Sequence, residues 1–347
     1  MPQLLGAILF PGQLGSAAGG TSLRDWKGRN NWRCRCEPIG GAGMNRALVE
    51  GLPRLADRTP ESHKGTFGTA FLIGGSLGMT GAIILAGRAA LRGGAGLVRL
   101  GVPAPCLPVV AGGEASYLTV SLPADCEGRL AFQARSKIQR EFTAATAVAI
   151  GPGIGRSLGL EALIWWLYGC CPRPLVVDAD GINALAFRRR ILGSFPVPGA
   201  PRILTPHPGE FDRLVGQGRL SPEDRRQAAP ELARQMEAVV VLKGHRTLVT
   251  DGERSYTNPT GNPGMATGGS GDVLTGLVTA LLCQGLAPFE AAVLGVFLHG
   301  LAGDLAAERL GQESLIASDL IDFLPDAFKH YRQALGGDNH LRAHSAQ

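Results

Sequence analysis

The chain is 347 residues long with 45% hydrophobic and 18% charged residues, a composition that can bury a sizeable core and excludes disordered and fibrous classes. Its fifty glycines follow no G-X-Y period, so they mark tight turns and close backbone approaches rather than collagen. The formal net charge is +5, but residues 1–43 hold Arg24, Lys27, Arg29, Arg33 and Arg35 against Asp25 and Glu37, and the near-neutral remainder offers no electrostatic footprint for nucleic acid.

Residues 1–43 are rich in Gly, Ser, Asn and Arg with no sustained apolar period, and are expected to be a disordered appendage, with Met44 a candidate start. Residues 44–335 are expected to form a single domain and residues 336–347 a disordered tail. Leu4 to Phe10 is apolar but lacks the basic start of a signal peptide. Seven cysteines without framework spacing fit the reducing cytoplasm. Cys34 and Cys36 form a C-x-C that no second pair or nearby histidine completes into a zinc site, and Cys170-Cys171 reads as two small hydrophobes.

From Thr69 onward, short β-branched or apolar runs alternate with helical patterns, as a mostly parallel sheet covered on both faces requires. Strands are predicted at Thr69–Ile73, Leu97–Gly101, Ala147–Ile150, Leu175–Asp178, Arg202–Thr205, Val239–Lys243 and Thr247–Thr250. Helices are predicted to begin near Thr80, Leu158, Gly209, Pro222, Gly271, Pro288 and Ser318. The apolar stretch from Leu277 to Leu298 is broken by Gln284, Gly285, Pro288 and Glu290, which predicts two core helices and not a membrane span. The cluster Arg188-Arg189-Arg190 reads as a solvated helix end.

Ligands in open α/β sheets bind outside the carboxyl ends of the strands, and three glycine-containing clusters fall there: Gly74 to Ser76, Gly151 to Gly155, and Asp178 to Gly181. The most informative run spans Asn258 to Asp272, N-P-T-G-N-P-G-M-A-T-G-G-S-G-D, and is followed by an apolar helical segment. Gly268, Gly269, Ser270 and Gly271 would turn successive amides inward at a helix N-terminus, an anion hole assisted by the helix dipole. No Lys-Ser/Thr follows, so this is not a Walker A loop. Asp272 stands at its mouth, either as general base for a hydroxyl attacking a bound phosphate or as a simple helix cap.

The G-G-S-G-D run opening a late helix resembles the signature of the ribokinase-like superfamily, whose glycines form an anion hole and whose aspartate is the base. H-K-G-T-F-G at His63 to Gly68, T-P-H-P-G-E at Thr205 to Glu210 and N-P-T-G-N at Asn258 to Asn262 narrow the resemblance to the ADP-dependent (S)-NAD(P)H-hydrate dehydratase family. The resemblance implies a three-layer α/β fold, mostly parallel, with helices on both faces. It also implies a lyase that repairs hydrated NADH or NADPH. ADP phosphorylates the ring hydroxyl and phosphate is then eliminated, with Mg²⁺ present and AMP and phosphate as the other products. By the same resemblance Ala82, Gly153, His207 and Asp272 contact the hydrated cofactor, and Lys243, Gly244, His245, Arg246, Thr247 and Gly271 bind the nucleotide. A cytoplasmic homotetramer is implied, with an epimerase supplied by another chain.

From the residues alone several alternatives stay open. Lys243 to Thr247 reads equally as an exposed hairpin, Gly151 to Gly153 as a strand-to-helix turn, and His207 between two prolines as a structural histidine. Asp178 and Asp180 suit either Mg²⁺ held through water or turn and cap roles, and no metal ligand set is assigned. Asn258, Thr260 and Asn262 would shape the pocket or form plain turns, and His299 reads as a satisfied core histidine. The rival activities are a ribokinase-like small-molecule kinase, of the hydroxyethylthiazole or hydroxymethylpyrimidine type, and a nucleotide sensor without turnover. A chain truncated before Met44 is expected to keep its melting temperature and activity, and loss of either refutes the appendage reading.

Overall fold

The computed structural model describes residues 51–336. Nine strands form one sheet: β1 (Thr69–Ile73), β2 (Leu97–Pro103), β3 (Leu118–Leu122), β4 (Ala147–Ile150), β5 (Leu175–Val177), β6 (Arg202–Leu204), β7 (Ala238–Leu242), β8 (Leu248–Thr250) and β9 (Ser255–Thr257). Their order is β3-β2-β1-β4-β5-β6-β7-β8-β9. Every pairing from β3 across to β7 is parallel, and β8 runs antiparallel to both β7 and β9.

Period-two burial on both faces of the strands builds two cores. Along β1, Ala70 and Leu72 enter one core while Phe71 and Ile73 enter the other; along β4, Ala147 and Ala149 oppose Val148 and Ile150 in the same way. The first core is covered by α1 (Thr80–Arg92), α2 (Leu107–Ala111), α8 (Ser270–Cys283), α9 (Pro288–Leu310) and α10 (Ala317–Ala334). The second is covered by α3 (Arg135–Glu141), α4 (Leu158–Cys170), α5 (Ala179–Leu192), α6 (Pro208–Val215) and α7 (Pro222–Met236). This is the expected three-layer arrangement.

Five elements escaped the sequence reading. β3 and β9 are edge strands whose outward positions, such as Leu118 at 52% exposure and Ser255, follow no buried pattern. α2 and α3 have only five and seven residues, too short for a helical period to emerge. α5 opens on Ala179, Asp180 and Gly181, which read as a loop but lie inside its first turn. Its end also corrects the solvated arginine cluster: Arg190 is exposed, but Arg188 and Arg189 are half-buried. The cysteine pair divides as well, Cys171 buried and Cys170 exposed, while Cys34 and Cys36 lie outside the described residues.

α8 and α9 are the two helices expected from the broken apolar stretch. Among the described residues α9 is long and apolar enough to cross a membrane by length and composition, yet 72% of its apolar window is buried inside the protein, as in a core helix. α8 crosses α1 at backbone contact: a Cβ on Gly276 would lie 2.0 Å from the Ala86 carbonyl oxygen. Gly276→Ala must therefore push the two helices apart, and is expected to lower unfolding free energy by about 1–3 kcal/mol or more in denaturant titration. An unchanged midpoint would refute the close crossing.

Candidate active site

The chain leaves β1 for β2 and β3 on one side and returns to β4 on the other, so β1 and β4 flank the topological switch point where such sheets bind ligands. The loops after these strands are joined there. Gly75 donates its N–H to the Pro152 carbonyl at 2.8 Å, and the Ser76 hydroxyl donates to the Gly153 carbonyl at 2.9 Å. Gly153 adopts φ +61° and packs so closely on the start of α1 that a Cβ would lie 3.0 Å from the Ala82 Cβ. The structure thus brings Ala82 and Gly153 together, seventy-one positions apart in sequence.

At the carboxyl ends of β5, β6 and β7 a fully buried carboxylate gathers three donors. Asp178 Oδ1 accepts from Thr205 Oγ1 at 2.7 Å and from Lys243 Nζ at 2.8 Å; its Oδ2 accepts from Thr275 Oγ1 at 2.8 Å. Sequence reasoning noticed Asp178 but missed Thr205 and Thr275 as its partners, because their pairing depends on strand order and not on local pattern. The turn and packing roles weighed for this aspartate pair are present: both Asp178 oxygens accept hydrogen bonds, and Asp180 Oδ2 accepts the Gly155 N–H at 3.0 Å. Among the described residues no group of three or more His, Cys, Asp or Glu is placed to hold a metal.

Lys243 closes this cluster against the glycine loop. A Cβ on Gly271 would lie 3.1 Å from its ammonium nitrogen, so glycine lets the lysine sit beside the first turn of α8 without shifting. Burial alone would lower the lysine pKa, but the surrounding Asp178, Glu210 and Asp272 outweigh it and hold the group above the ordinary lysine value. Gly244, His245 and Arg246, by contrast, are exposed on the β7–β8 hairpin, where the Thr247 hydroxyl donates to the Gly244 carbonyl at 3.0 Å. The segment is thus a hairpin, as one reading expected, with Lys243 at its base reaching into the Asp178 cluster.

The N-cap of α8 is Gly269, with φ +92° and no side chain to satisfy the first helical amides. Asp272 lies inside the first turn, not at the cap, which removes the capping alternative. Burial first, then the neighbouring Asp178, push its pKa up to about 7 against the pull of Lys243, and no hydrogen bond contributes. Uncapped amides with dipole assistance beside a carboxylate that titrates near neutrality can hold a phosphoryl group and take a proton from a hydroxyl attacking it. The loop is held from behind by His299 of α9, whose Nε2 lies 2.9 Å from the Ser270 carbonyl oxygen and which burial pushes down to about 4, keeping it neutral. It is a satisfied histidine, as expected, but its partner is the anion loop.

His207 caps α6. Its Nδ1 accepts from the Gly209 and Glu210 amides at 3.0 and 3.4 Å, while Glu210 Oε2 accepts the His207 N–H at 2.8 Å, a reciprocal capping box. The structural role is therefore real, yet the ring stays 51% exposed. Burial pushes the Glu210 carboxyl up to about 7. Asn258, Thr260 and Asn262 use their side chains to fasten the loop. Asn258 donates to the Thr260 and Val296 carbonyls, Thr260 to the Phe297 carbonyl, and Asn262 to Asp304, so they fasten the loop to α9.

A protein family described as NAD(P)H-hydrate dehydratase matches residues 70–326. A bifunctional NAD(P)H-hydrate repair enzyme of Moorella thermoacetica is 45% identical over 81% of this chain, and the match covers 52% of that protein, so the chain spans about half the length of such relatives. The solved ADP/ATP-dependent NAD(P)H-hydrate dehydratase of Bacillus subtilis, co-crystallised with ATP and Mg²⁺, superposes with a TM-score of 0.69 and 32% identity, covering 84% of this chain and 99% of that one. A ribokinase-like superfamily protein of Enterococcus faecalis gives a TM-score of 0.68 at 25% identity over 83% and 95% of the two chains. With the switch-point loops, the uncapped glycine turn and the near-neutral Asp272 in place, these matches make the chain a member of the NAD(P)H-hydrate dehydratase family on a ribokinase-like fold.

Proposed function

We propose that this chain dehydrates the (S)-hydrate of NADH or NADPH in an ADP-dependent reaction that restores the dihydronicotinamide and yields AMP and phosphate. The observation that carries the reading is the uncapped N-terminus of α8 with Asp272 in its first turn, a carboxyl that burial and Asp178 push up to about 7. Asp272 takes the proton of the ring hydroxyl as its oxygen attacks the β-phosphorus of ADP, and AMP departs. The amides from Gly268 to Gly271 face the charge on the phosphoryl group in transfer. The phosphorylated ring carbon then loses phosphate, a far better leaving group than hydroxide, pushed out by the ring nitrogen lone pair, and loss of a proton from the neighbouring ring carbon forms the carbon–carbon double bond and returns the lone pair to nitrogen.

Ala82, Gly153 and His207 are proposed to hold the hydrated ring, and Lys243 to Thr247 with Gly271 the nucleotide. Lys243, half-buried and charged, offsets the negative charge collected by the phosphates and three carboxylates. Mg²⁺ suits this site as an ion carried on the nucleotide phosphates, a common role for it, and among the described residues no group of three or more His, Cys, Asp or Glu forms a cage. By the family resemblance the working form is a cytoplasmic homotetramer partnered by a hydrate epimerase.

Purified protein given hydrated NADH, Mg²⁺ and either ADP or ATP is expected to restore the near-ultraviolet absorbance of the dihydronicotinamide only when nucleotide is present. Absence of recovery from folded protein, with phosphorylation of a thiazole or pyrimidine alcohol instead, would establish the kinase alternative. Asp272→Asn is expected to cut turnover by about 10²–10⁴ while nucleotide affinity, read by calorimetry, is largely kept; wild-type turnover would remove Asp272 from the mechanism.

The same carboxyl sets two pH dependences of opposite sense. Turnover requires the ionised base and should rise as pH passes through about 7. Stability runs the other way: the folded-state pKa lies above the unfolded value of about 3.9, so the favourable contribution is complete below that value and is lost as pH rises to about 7. Asp272→Asn should therefore melt above the wild type at pH 8, with the gap narrowing toward pH 4, and a lower melting temperature at pH 8 would contradict the assigned environment.

A further inference from the structure

Beside the catalytic crevice lies a cavity of about 1030 Å³ between α5 and α6, at the upper end of the roughly 300–1,000 Å³ common for small-molecule sites. Six arginines line it, Arg156, Arg189, Arg190, Arg213, Arg219 and Arg225, against the one carboxylate of Asp212. That excess of positive charge equals the formal net charge of the entire chain, +5. Arg225 is spent on Asp212 through a bidentate pair at 2.8 and 2.7 Å, and Arg189 donates to the Leu214 and Val215 carbonyls at the end of α6. No salt bridge among the described residues engages Arg156, Arg190, Arg213 or Arg219, although their mutual repulsion costs stability.

The cavity lining includes residues that adjoin the proposed substrate side of the site along the chain. Arg156 follows the Gly151 to Gly155 loop that carries Gly153, and Pro208 and Gly209 follow His207 directly. Asn183 bridges the two walls: its Oδ1 accepts from Arg213 Nε at 2.8 Å, and its Nδ2 reaches Asp180 Oδ1 at 3.5 Å, the carboxylate that also takes the Gly155 amide. Arg156 thus borders one of the two loops proposed to hold the hydrated ring, while Arg189 and Arg190 come from α5, Arg213 and Arg219 from α6 and the turn after it, and Arg225 from α7. Every basic residue in the lining is arginine and none lysine, the side chain whose planar fork matches phosphate oxygens two at a time.

We propose that this cleft holds the anionic adenylyl end of the hydrated dinucleotide, its pyrophosphate and adenosine ribose, and favours the form bearing a 2′-phosphate. The inference rests on the proposed dehydratase reading and adds to it the site for the far half of the substrate and a preference between its two forms. Arginine is the usual partner of that 2′-phosphate in dinucleotide sites. The ring and the adenylyl half would then be held by opposite ends of one continuous groove, leaving the glycine loop and the β7–β8 hairpin to the phosphate donor.

The test is the double variant Arg213→Gln, Arg219→Gln, two exposed positions whose loss should leave the melting temperature in place. NADPH, which needs no turnover to be measured, is titrated by its fluorescence. The variant is expected to bind it at least about tenfold more weakly, the effect of one lost charge-assisted phosphate contact, with a smaller loss for NADH. Reduced nicotinamide mononucleotide, which lacks the adenylyl half, should bind both proteins alike, and the KM for hydrated NADPH should rise while that for ADP stays. NADPH affinity equal in variant and wild type overturns the inference, as does a parallel loss of ADP affinity, which would assign the cleft to the phosphate donor. If the wild type fails to dehydrate anything yet the variant still loses NADPH, the dehydratase reading falls and the dinucleotide cleft stands.

Discussion

The hydrogen-bonded carboxylate of Asp178 is the contact on which the rest of the site depends. A buried charge without partners is costly by several kcal/mol, and here Thr205, Lys243 and Thr275 supply three donors from the end of β6, the end of β7 and helix α8. Its backbone is as constrained as its side chain, since a Cβ on Gly151 after β4 would collide with the Asp178 carbonyl at 1.9 Å. Four strand ends and one helix are therefore located relative to a single residue. Moving any of them strands either the lysine or the aspartate in the interior.

Two aspartates meet in this cluster with opposite fates. Asp178 is saturated with donors and serves geometry; Asp272 receives none and has its pKa lifted toward 7 by burial and by Asp178 itself. The first carboxyl thus has a structural role, and the environment of the second is the one that the proposed proton transfer requires. The lysine between them limits the repulsion and lowers the cost of ionising Asp272. His299, neutral and buried behind Ser270, lets the glycine loop rest on α9 without adding charge to the anion site.

The groove beyond His207 shows how the layers share the work. Small residues and glycines on the α1–α8 side allow backbone contact and a rigid anion turn, whereas the α5–α6 side is lined with long arginines around open volume. The first arrangement favours fixed geometry for proton and phosphoryl transfer; the second supplies charge at adjustable reach. The capping box of His207 and Glu210 joins the two, because it fixes the start of α6 at the border between crevice and cleft.

Much of this was legible in the sequence. The two-sided apolar runs of β1, β4 and β7, the break between α8 and α9, and the G-G-S-G-D turn are local signals, each carried by residues a few positions apart. The edge strands β3 and β9 were not, because one unburied face removes the apolar run that marks a central strand, and α5 was hidden behind the glycine in its first turn. The glycine turn ahead of α8, the place of Asp272 in it and the family they resemble were thus legible in the sequence alone. Only the tertiary structure decided that Asp178 is held by Thr205, Lys243 and Thr275, that Asn262 ties to Asp304, and that arginines from separate segments share one cleft. Those pairings join residues tens of positions apart, and strand order, which no local periodicity encodes, brings them within hydrogen-bond reach.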